Sequence, residues 1–314
     1  MTKMFRSFVR PSDMRRAAAL LLGTLVVLAA GCGGSSAEDD TFAYDAEAPL
    51  ALETGAQLAD GRPLDVRDVS FASGDERVQG VLVAPPDPKD RLPAVVYLHG
   101  SGGDRTQLLP LASWLAARGA VALTLTLPSG DAAPPSGLSP EETLRWQRDA
   151  IVDDVVAVRR ALDVLAADER VDPERLGLVG WSFGGRLGAL VAGVDDRLRA
   201  TTLMSAGAAP VSEYVAAAPA ELRDDVEEVL TPIDPLSRIG DAEGAVFLQA
   251  GRSDSVVPES ALQALADAAP DGTRVTWYDA EHDLNDSANR DQLAWLSERL
   301  GIDGPPVPGV ATGP

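Results

Sequence analysis

A serine in a glycine-rich turn is the residue of this sequence best placed for covalent chemistry. Ser182 lies within Gly180–Gly185, which matches the pattern Gly-x-Ser-x-Gly between a short apolar run and a stretch of small residues typical of a helix. Glycines two positions before and after the serine permit a strained turn, because larger side chains there would collide. The helix start would direct N–H groups at an oxygen that gains negative charge. The pattern predicts a nucleophilic serine, and the alternative is a glycine-rich packing turn.

Two histidines and several acidic residues are available to complete a catalytic set around this serine. A serine hydroxyl reacts at neutral pH only when a base takes its proton, and imidazole has a suitable pKa. The sequence contains only His99 and His282. A third group must orient the imidazole, and Asp254 follows an apolar run and a short turn. Its rivals are the acidic residues nearby in sequence: Asp234, Asp241 and Asp279.

Short apolar runs alternate with segments of helical period along most of the chain, which predicts the elements that would position these residues. Val66–Ser73 and Val78–Ala84 are typical of two antiparallel strands around a turn. Six later runs have the nearly continuous apolar character of buried parallel strands: Ala94–Leu98, Ala120–Thr126, Leu176–Gly180, Thr201–Ser205, Ala245–Ala250 and Arg274–Tyr278. The predicted fold is therefore α/β, a doubly wound, mostly parallel sheet of eight strands flanked by helices. Ligands bind beyond the carboxyl ends of such strands.

Four segments, in this order, resemble motifs of the α/β-hydrolase superfamily, and especially of its dienelactone-hydrolase-like and prolyl-oligopeptidase-like esterases. They are Leu92–Gly103, Gly177–Gly185, Leu248–Pro258 and Ala280–Leu284. The resemblance extends from about residue 66 to residue 300. It implies the α/β-hydrolase fold and hydrolysis of carboxylic esters. Enzymes of the dienelactone branch often have cysteine as the nucleophile, whereas a serine at this position is typical of ordinary ester chemistry.

The resemblance also implies roles for individual residues. The superfamily has the order Ser, then Asp or Glu, then His, which makes His282 the base; His99 would support the glycine turn. The family motif Gly-x-x-Asp-x-x-Val-Pro favours Asp254 as the acid. Two N–H donors must face the oxyanion during acyl transfer. Phe183, next after the nucleophile, would supply one, and Ser101, in the glycine-rich loop after the third strand, the other.

Composition excludes several other classes of function. The chain of 314 residues has 27 Lys and Arg against 48 Asp and Glu, a formal charge of −21, and its basic cluster is confined to the first sixteen residues. Nucleic acid is therefore not an expected partner. One cysteine excludes an intrachain disulfide, and two histidines argue against a metal cluster. We expect no metal and no other cofactor, and a small ester as substrate. The oligomeric state is left open.

The N-terminus is typical of an exported lipoprotein. Basic residues precede the uncharged segment Ala17–Ala30, which is too short to span a bilayer stably. The sequence Leu-Ala-Ala-Gly-Cys that ends at Cys32 resembles a bacterial lipobox. The resemblance implies cleavage before Cys32, lipid on its thiol, and an extracytoplasmic location in the bacterial cell envelope, anchored to the membrane. The alternative is an ordinary signal peptide with an incidental cysteine.

Four segments are predicted along the chain. They are a lipoprotein signal peptide (1–31), a flexible tether (32–60), the α/β-hydrolase domain (61–301) and a disordered Pro/Gly tail (302–314). Within the domain, Gly207–Gly240 is either a long crossover helix or a cap over the serine. Two other activities stay open, peptide cleavage and acyl transfer with the same triad, as does a non-catalytic envelope protein that binds through the fold.

Overall fold

The computed structural model describes residues 40–58, 63–129, 133–304 and 306–314. The predicted signal peptide, Cys32 and the first part of the predicted tether lie outside the described residues. None of the helices in the described ranges combines the length and the apolar character needed to cross a membrane.

Nine strands form one sheet in the described part of the chain, in the order β1-β2-β3-β5-β4-β6-β7-β8-β9. The first three strands and the β3–β5 pair are antiparallel, and all later neighbours are parallel. The strands are β1 (Glu53–Gln57), β2 (Asp65–Ser73), β3 (Glu76–Ala84), β4 (Leu92–Leu98), β5 (Val121–Thr126), β6 (Val171–Trp181), β7 (Leu198–Met204), β8 (Ala245–Gly251) and β9 (Arg274–Tyr278). The predicted fold class is confirmed, with one strand more than the predicted eight.

Helices cover both faces of the sheet, as a doubly wound fold requires. They are α1 (Leu109–Ala116), α2 (Pro140–Ala167), α3 (Phe183–Val194), α4 (Val211–Ala217), α5 (Arg223–Leu230), α6 (Pro235–Arg238), α7 (Glu259–Ala268) and α8 (Asp286–Leu300). One core cluster joins the sheet to α2, α3 and α5, and the other joins it to α1 and α8. The central strand β4 is buried along almost its whole length, because helices cover it on both faces.

Part of the predicted tether packs on the domain. Phe42 is 3% exposed, and its carbonyl accepts a hydrogen bond of 2.8 Å from Arg159 on α2. The ring of Tyr44 lies under the same guanidinium, 4.6 Å from it. The buried Arg160 donates to the carbonyl of Ala48 at 2.7 Å. With β1 added to the sheet edge, residues from about 40 onward pack as part of the domain, whose predicted start was residue 61.

The segment predicted as a disordered tail also lies against the domain. Ile302 is buried beside α8. The N–H of Val307 donates to the carbonyl of Ala117 at 2.7 Å, and Arg118 donates to the carbonyl of Thr312 at 2.8 Å. The Pro/Gly composition led to the prediction of disorder. Scattered apolar side chains and backbone carbonyls nevertheless find partners at the end of α1.

Candidate active site

The turn between β6 and α3 holds Ser182 in a left-handed backbone conformation, with φ of +56°. Its N–H donates to the carbonyl of Met204 at 2.8 Å. A methyl group on Gly180 would lie 2.2 Å from the carbonyl oxygen of Gly184, and one on Gly184 would lie 2.5 Å from that of His99. Both glycines are therefore required by close backbone contact. The structure bears out the steric reason inferred from the Gly-x-Ser-x-Gly spacing.

The structure brings Ser182, His282 and Asp254 into one chain of hydrogen bonds. Nε2 of His282 lies 2.9 Å from Oγ of the serine, and Nδ1 lies 2.8 Å from Oδ2 of the aspartate. Because the carboxylate can only accept, Nδ1 carries the proton and Nε2 is left to accept from the serine hydroxyl. The three side chains come from the ends of β6, β8 and β9, which share the carboxyl edge of the sheet.

Asp254 is held by more than the imidazole. Its side chain is 1% exposed, and its Oδ1 accepts the N–H groups of Val256 and Val257 at 2.8 and 2.9 Å. These bonds orient the carboxylate and stabilise its charge away from water. The rival Asp234 instead caps α6, where it accepts the N–H of Leu236. The structure thus brings Asp254 into contact with His282 and leaves Asp234 at a helix cap.

His99 is occupied by backbone contacts and does not reach the serine hydroxyl as a base. It is almost fully buried, and its Nε2 accepts the N–H of Leu127 at 3.0 Å. Its Nδ1 therefore carries the proton and donates to the carbonyl of Gly100 at 2.7 Å. This bonding joins the end of β4 to the chain that follows β5. It agrees with a supporting role in the glycine turn.

The two predicted oxyanion donors, Ser101 and Phe183, line the same cavity as Ser182. Phe183 is the first residue of α3, where backbone N–H groups lack partners within the helix. Ser101 belongs to the loop after β4. That loop is tightened by a hydrogen bond of 3.0 Å from the N–H of Gly103 to the carbonyl of Gly100. The two residues thus line the cavity of Ser182 from the helix start and from the glycine-rich loop, and their role as oxyanion donors stays a prediction.

Three residues that contact this machinery were not identified from the sequence. Gln107 accepts the N–H of Gly100 at 2.9 Å and so holds the glycine-rich loop. Trp181 and Ser205 both donate to the backbone carbonyl of His282, at 3.1 and 2.7 Å. Trp181 had one signal, its position next to the serine. The contact of Ser205 joins residues 77 positions apart, and no local pattern could have indicated it.

A cavity of about 420 Å³ opens beside Ser182. Its walls come from the segment after β7, from α4, and from the loop and helix that follow β8. Most of the lining is apolar, including Ala208, Val257 and Ala261, and Arg186 and Glu213 add charged groups of opposite sign. The segment Gly207–Gly240 forms the separate helices α4 to α6 rather than one long crossover helix, and α4 supplies part of the cavity wall.

A metal centre is not found in the described ranges, where no three His, Cys, Asp or Glu side chains are grouped so that they could hold an ion. The chemistry that the arrangement itself offers is nucleophilic: a serine with a base in contact, an oriented acid, and donors at a helix start.

A serine at a strand-to-helix turn, with an acid and a histidine after later strands of a mostly parallel sheet, defines the α/β-hydrolase fold. The chain belongs to the Dienelactone hydrolase family, whose family model matches residues 78–294. A curated relative from Nocardia uniformis subsp. tsuyamanensis, named "Putative esterase NocK", is 34% identical over 161 residues. That match covers 51% of this chain and 42% of the relative, so this chain spans less than half of the relative's length.

Solved structures share the fold at low sequence identity. The acetyl xylan esterase from Paenibacillus sp. R4 superposes with a TM-score of 0.70 at 19% identity, over 80% of this chain and 90% of that one. Acetyl xylan esterase 1 from Thermoanaerobacterium sp. JW/SL YS485 has a TM-score of 0.67 at 17% identity, with 82% and 89% covered. At such identities the likeness establishes the architecture alone.

One buried carboxyl group near the site makes stability depend on pH. Asp154 on α2 accepts the N–H of Ser129 at 2.9 Å and also its hydroxyl, and Ser129 lies two residues beyond the N–H donor to His99. Burial raises the pKa of Asp154 to about 6, although the bonds from Ser129 oppose the shift. At pH values between the pKa of this group in the unfolded state and about 6, the folded state retains a proton that the unfolded state releases. The free energy of unfolding therefore falls as pH rises through this range.

We therefore expect Asp154→Asn, which mimics the protonated group, to be more stable than the wild type at pH 7 but not at pH 4. A shift of this size corresponds to about 3 kcal/mol in the free energy of unfolding. Urea denaturation of both proteins at several pH values measures it. The matched control is Asp149→Asn, at a more exposed position of the same helix. A difference between wild type and Asp154→Asn that stays constant from pH 4 to pH 7 would contradict the prediction.

Proposed function

We propose that the protein is a serine hydrolase that cleaves carboxylic esters of small or medium acyl groups through an acyl-enzyme on Ser182. The observation that carries the proposal is the unbroken hydrogen-bond chain from Ser182 through His282 to Asp254, beside a cavity large enough for a small organic ligand. The family assignment and the names of the similar proteins, which are esterases, support ester chemistry.

Acylation begins when Oγ of Ser182 attacks the ester carbonyl carbon. Nε2 of His282 takes the hydroxyl proton, and the carboxylate of Asp254 stabilises the imidazolium that forms. The carbonyl oxygen becomes an oxyanion and accepts the N–H groups of Phe183 and Ser101. When the tetrahedral intermediate collapses, the bond to the alcohol oxygen breaks and His282 returns the proton to the alcohol. The acyl group then remains on the serine.

Deacylation repeats these steps with water. His282 takes a proton from water as its oxygen attacks the acyl carbonyl, and the same backbone donors stabilise the second oxyanion. The bond to Oγ of Ser182 breaks, and His282 returns the proton to that oxygen. The carboxylic acid is released and the enzyme is restored. Neither half of the cycle needs a metal or a redox partner.

The acyl group is proposed to occupy the cavity beside Ser182. A much smaller apolar chamber, of about 30 Å³, lies next to it. Four residues line both spaces and so form the wall between them: Phe183, Arg186, Ala209 and Tyr214. Because this wall limits the length of the cavity, the proposed substrates carry short to medium acyl chains. Tyr214 is the aromatic wall residue outside the proposed machinery.

The protein is further proposed to be anchored to the membrane of the bacterial cell envelope through lipid on Cys32. The lipobox-like sequence supports this, and the packing of residues 40–48 adds an orientation. These residues contact Arg159, which pairs with Asp195 just before β7 begins. They therefore lie toward the amino ends of the parallel strands, whereas Ser182 follows the carboxyl end of the neighbouring parallel strand β6. Eight residues from Cys32 to Asp40 span at most about 27 Å. The site would therefore open away from the membrane.

Substitution of the nucleophile is the direct test of the activity. The wild type is expected to hydrolyse p-nitrophenyl acetate and butyrate, and Ser182→Ala and His282→Ala to lose at least about 10³-fold in kcat, because each removes a group that acts in the transition state. A fluorophosphonate should label the wild type at Ser182. Ser297→Ala, which removes a serine hydroxyl on α8, is the control and should keep full activity. Absence of both hydrolysis and labelling in the wild type would defeat the proposal.

Tyr214→Ala should lengthen the accepted acyl chain by joining the two chambers. The ratio of kcat/KM for p-nitrophenyl octanoate to that for the butyrate is expected to rise at least about tenfold, since each buried CH₂ contributes about 0.8 kcal/mol and burial of about two of the four additional CH₂ groups is enough for that factor. Tyr214→Phe, which keeps the ring in the wall, should leave the ratio unchanged. The assignment of the acyl group to this cavity fails if Tyr214→Ala alters the preference for the alcohol portion and not for the acyl chain.

Membrane attachment is tested by Cys32→Ala in a bacterial host that processes lipoproteins. The wild type is expected in the membrane fraction, with a lipid-modified Cys32 at its mature N-terminus as seen by mass spectrometry. The Cys32→Ala protein should leave that fraction and retain esterase activity, because Cys32 has no role in the proposed catalytic steps. A Cys32→Ala protein that still sediments with the membrane would refute the anchor.

A further inference from the structure

The indole of Trp181 lies between two segments that the proposed reaction needs at fixed positions. On one side it packs on Gly100, where an added methyl group would lie 2.7 Å from the ring. On the other side its ring centroid is 5.3 Å from that of the His282 imidazole, with the planes inclined by 45°. Its Nε1–H donates to the backbone carbonyl of His282 at 3.1 Å. One side chain thus touches both the oxyanion loop (residues 99–103) and the base.

Ser205 supplies a second donor to the same carbonyl. Its hydroxyl lies 2.7 Å from the carbonyl oxygen of His282, and its own N–H donates to the carbonyl of Gln249 at 2.8 Å. The residue is completely buried and has a φ of +46°, a conformation that is unfavourable for any residue with a side chain. Strained residues of this kind persist where the surrounding structure holds them, and they cluster at functional sites.

The two donors use the two lone pairs of one carbonyl oxygen. Trp181 ends β6 and Ser205 directly follows β7, so the carbonyl of His282 is fixed against the ends of two adjacent strands. A third contact comes from β8, where a methyl group on Gly251 would lie 2.4 Å from the carbonyl oxygen of Glu281. The loop that carries His282 is therefore held on its backbone, which leaves only the two side-chain torsions of the imidazole to adjust.

We propose that Trp181 and Ser205 are positioning residues for His282, and that Trp181 also sets the spacing between the base and the oxyanion loop. The inference rests on the proposed function, in which His282 is the base. Neither residue takes part in a bond-forming step. Each acts through the placement of the imidazole, which must reach Ser182 and Asp254 at the same time. A misplacement of about 1 Å in such a group lowers a rate about 10²-fold.

The test removes each donor separately. Trp181→Phe keeps an aromatic ring but loses Nε1–H, and Ser205→Ala loses only the hydroxyl. Each is expected to lower kcat on p-nitrophenyl butyrate about tenfold, and the double variant about 10²-fold, with KM changed less than about twofold. The split between kcat and KM follows because the imidazole acts in proton transfer and does not line the substrate cavity. A general loss of structure would raise KM or reduce the active fraction instead.

Matched controls remove the same chemical groups elsewhere. Trp114→Phe changes a half-buried indole on α1, a residue that is not among those lining the substrate cavity. Ser297→Ala deletes a hydroxyl that also donates to a backbone carbonyl at 2.7 Å, that of Leu293. Both controls should keep kcat within about twofold of the wild type. Urea unfolding curves of all variants show whether each is folded under assay conditions; if the double variant is not, the two single variants decide.

A second readout separates this inference from the proposed ester chemistry. The rate at which a fluorophosphonate modifies Ser182 depends on activation of the serine and not on hydrolysis of any ester, and it should fall in parallel with kcat. If the wild type is labelled but cleaves no ester, the proposed function fails and the labelling rates alone decide the positioning role. Unchanged kcat and labelling in both single variants would overturn the inference. A wild type that is neither labelled nor active would overturn both.

Discussion

The turn from β6 to α3 meets the ends of β4 and β7 at Ser182, and this contact is the constraint on which the rest of the site depends. A methyl group on Gly184 would lie 2.5 Å from the carbonyl oxygens of Leu98 and His99, so the start of α3 touches the end of β4 through backbone atoms alone. This contact brings the glycine-rich loop beside the nucleophile. The left-handed conformation of Ser182 is retained because buried strands on both sides hold the turn.

The buried charge of Asp254 sets the donor and acceptor roles in the hydrogen bonds between the three side chains. The carboxylate of Asp254 is excluded from water, and a buried charge must find hydrogen-bond partners. It accepts two backbone N–H groups and the Nδ1–H of His282. The imidazole is thereby held in one tautomer, with Nε2 as the acceptor that faces Ser182. Burial of one carboxyl group thus determines which way a proton can move along the chain of side chains.

Different parts of the molecule were predictable to different degrees. Short, nearly continuous apolar runs predicted six strands, since buried parallel strands have few polar residues, and two more were predicted as an antiparallel pair around a turn. The ninth, Glu53–Gln57, was missed because it is an edge strand that is mostly exposed and needs no apolar alternation. Residues 40–48 were misread for a similar reason: besides the side chains of Phe42 and Tyr44, their attachment uses carbonyls that accept hydrogen bonds from Arg159 and Arg160. Backbone acceptors are present at every residue and leave no trace in a sequence.

The sequence by itself predicted Ser182 as the nucleophile, because the glycine spacing around this residue expresses a local steric requirement. The sequence also limited the candidates for an imidazole base to two histidines. The tertiary structure decided what depends on distant segments: that His99 bonds to the backbone of Gly100 and Leu127, that Asp254 is in contact with His282, and that indole and hydroxyl donors bond to the carbonyl of His282. The physical reason is that steric limits act between residues adjacent in the chain. Hydrogen bonds, by contrast, also join residues that are distant in the sequence and that only the packing of the sheet brings into contact.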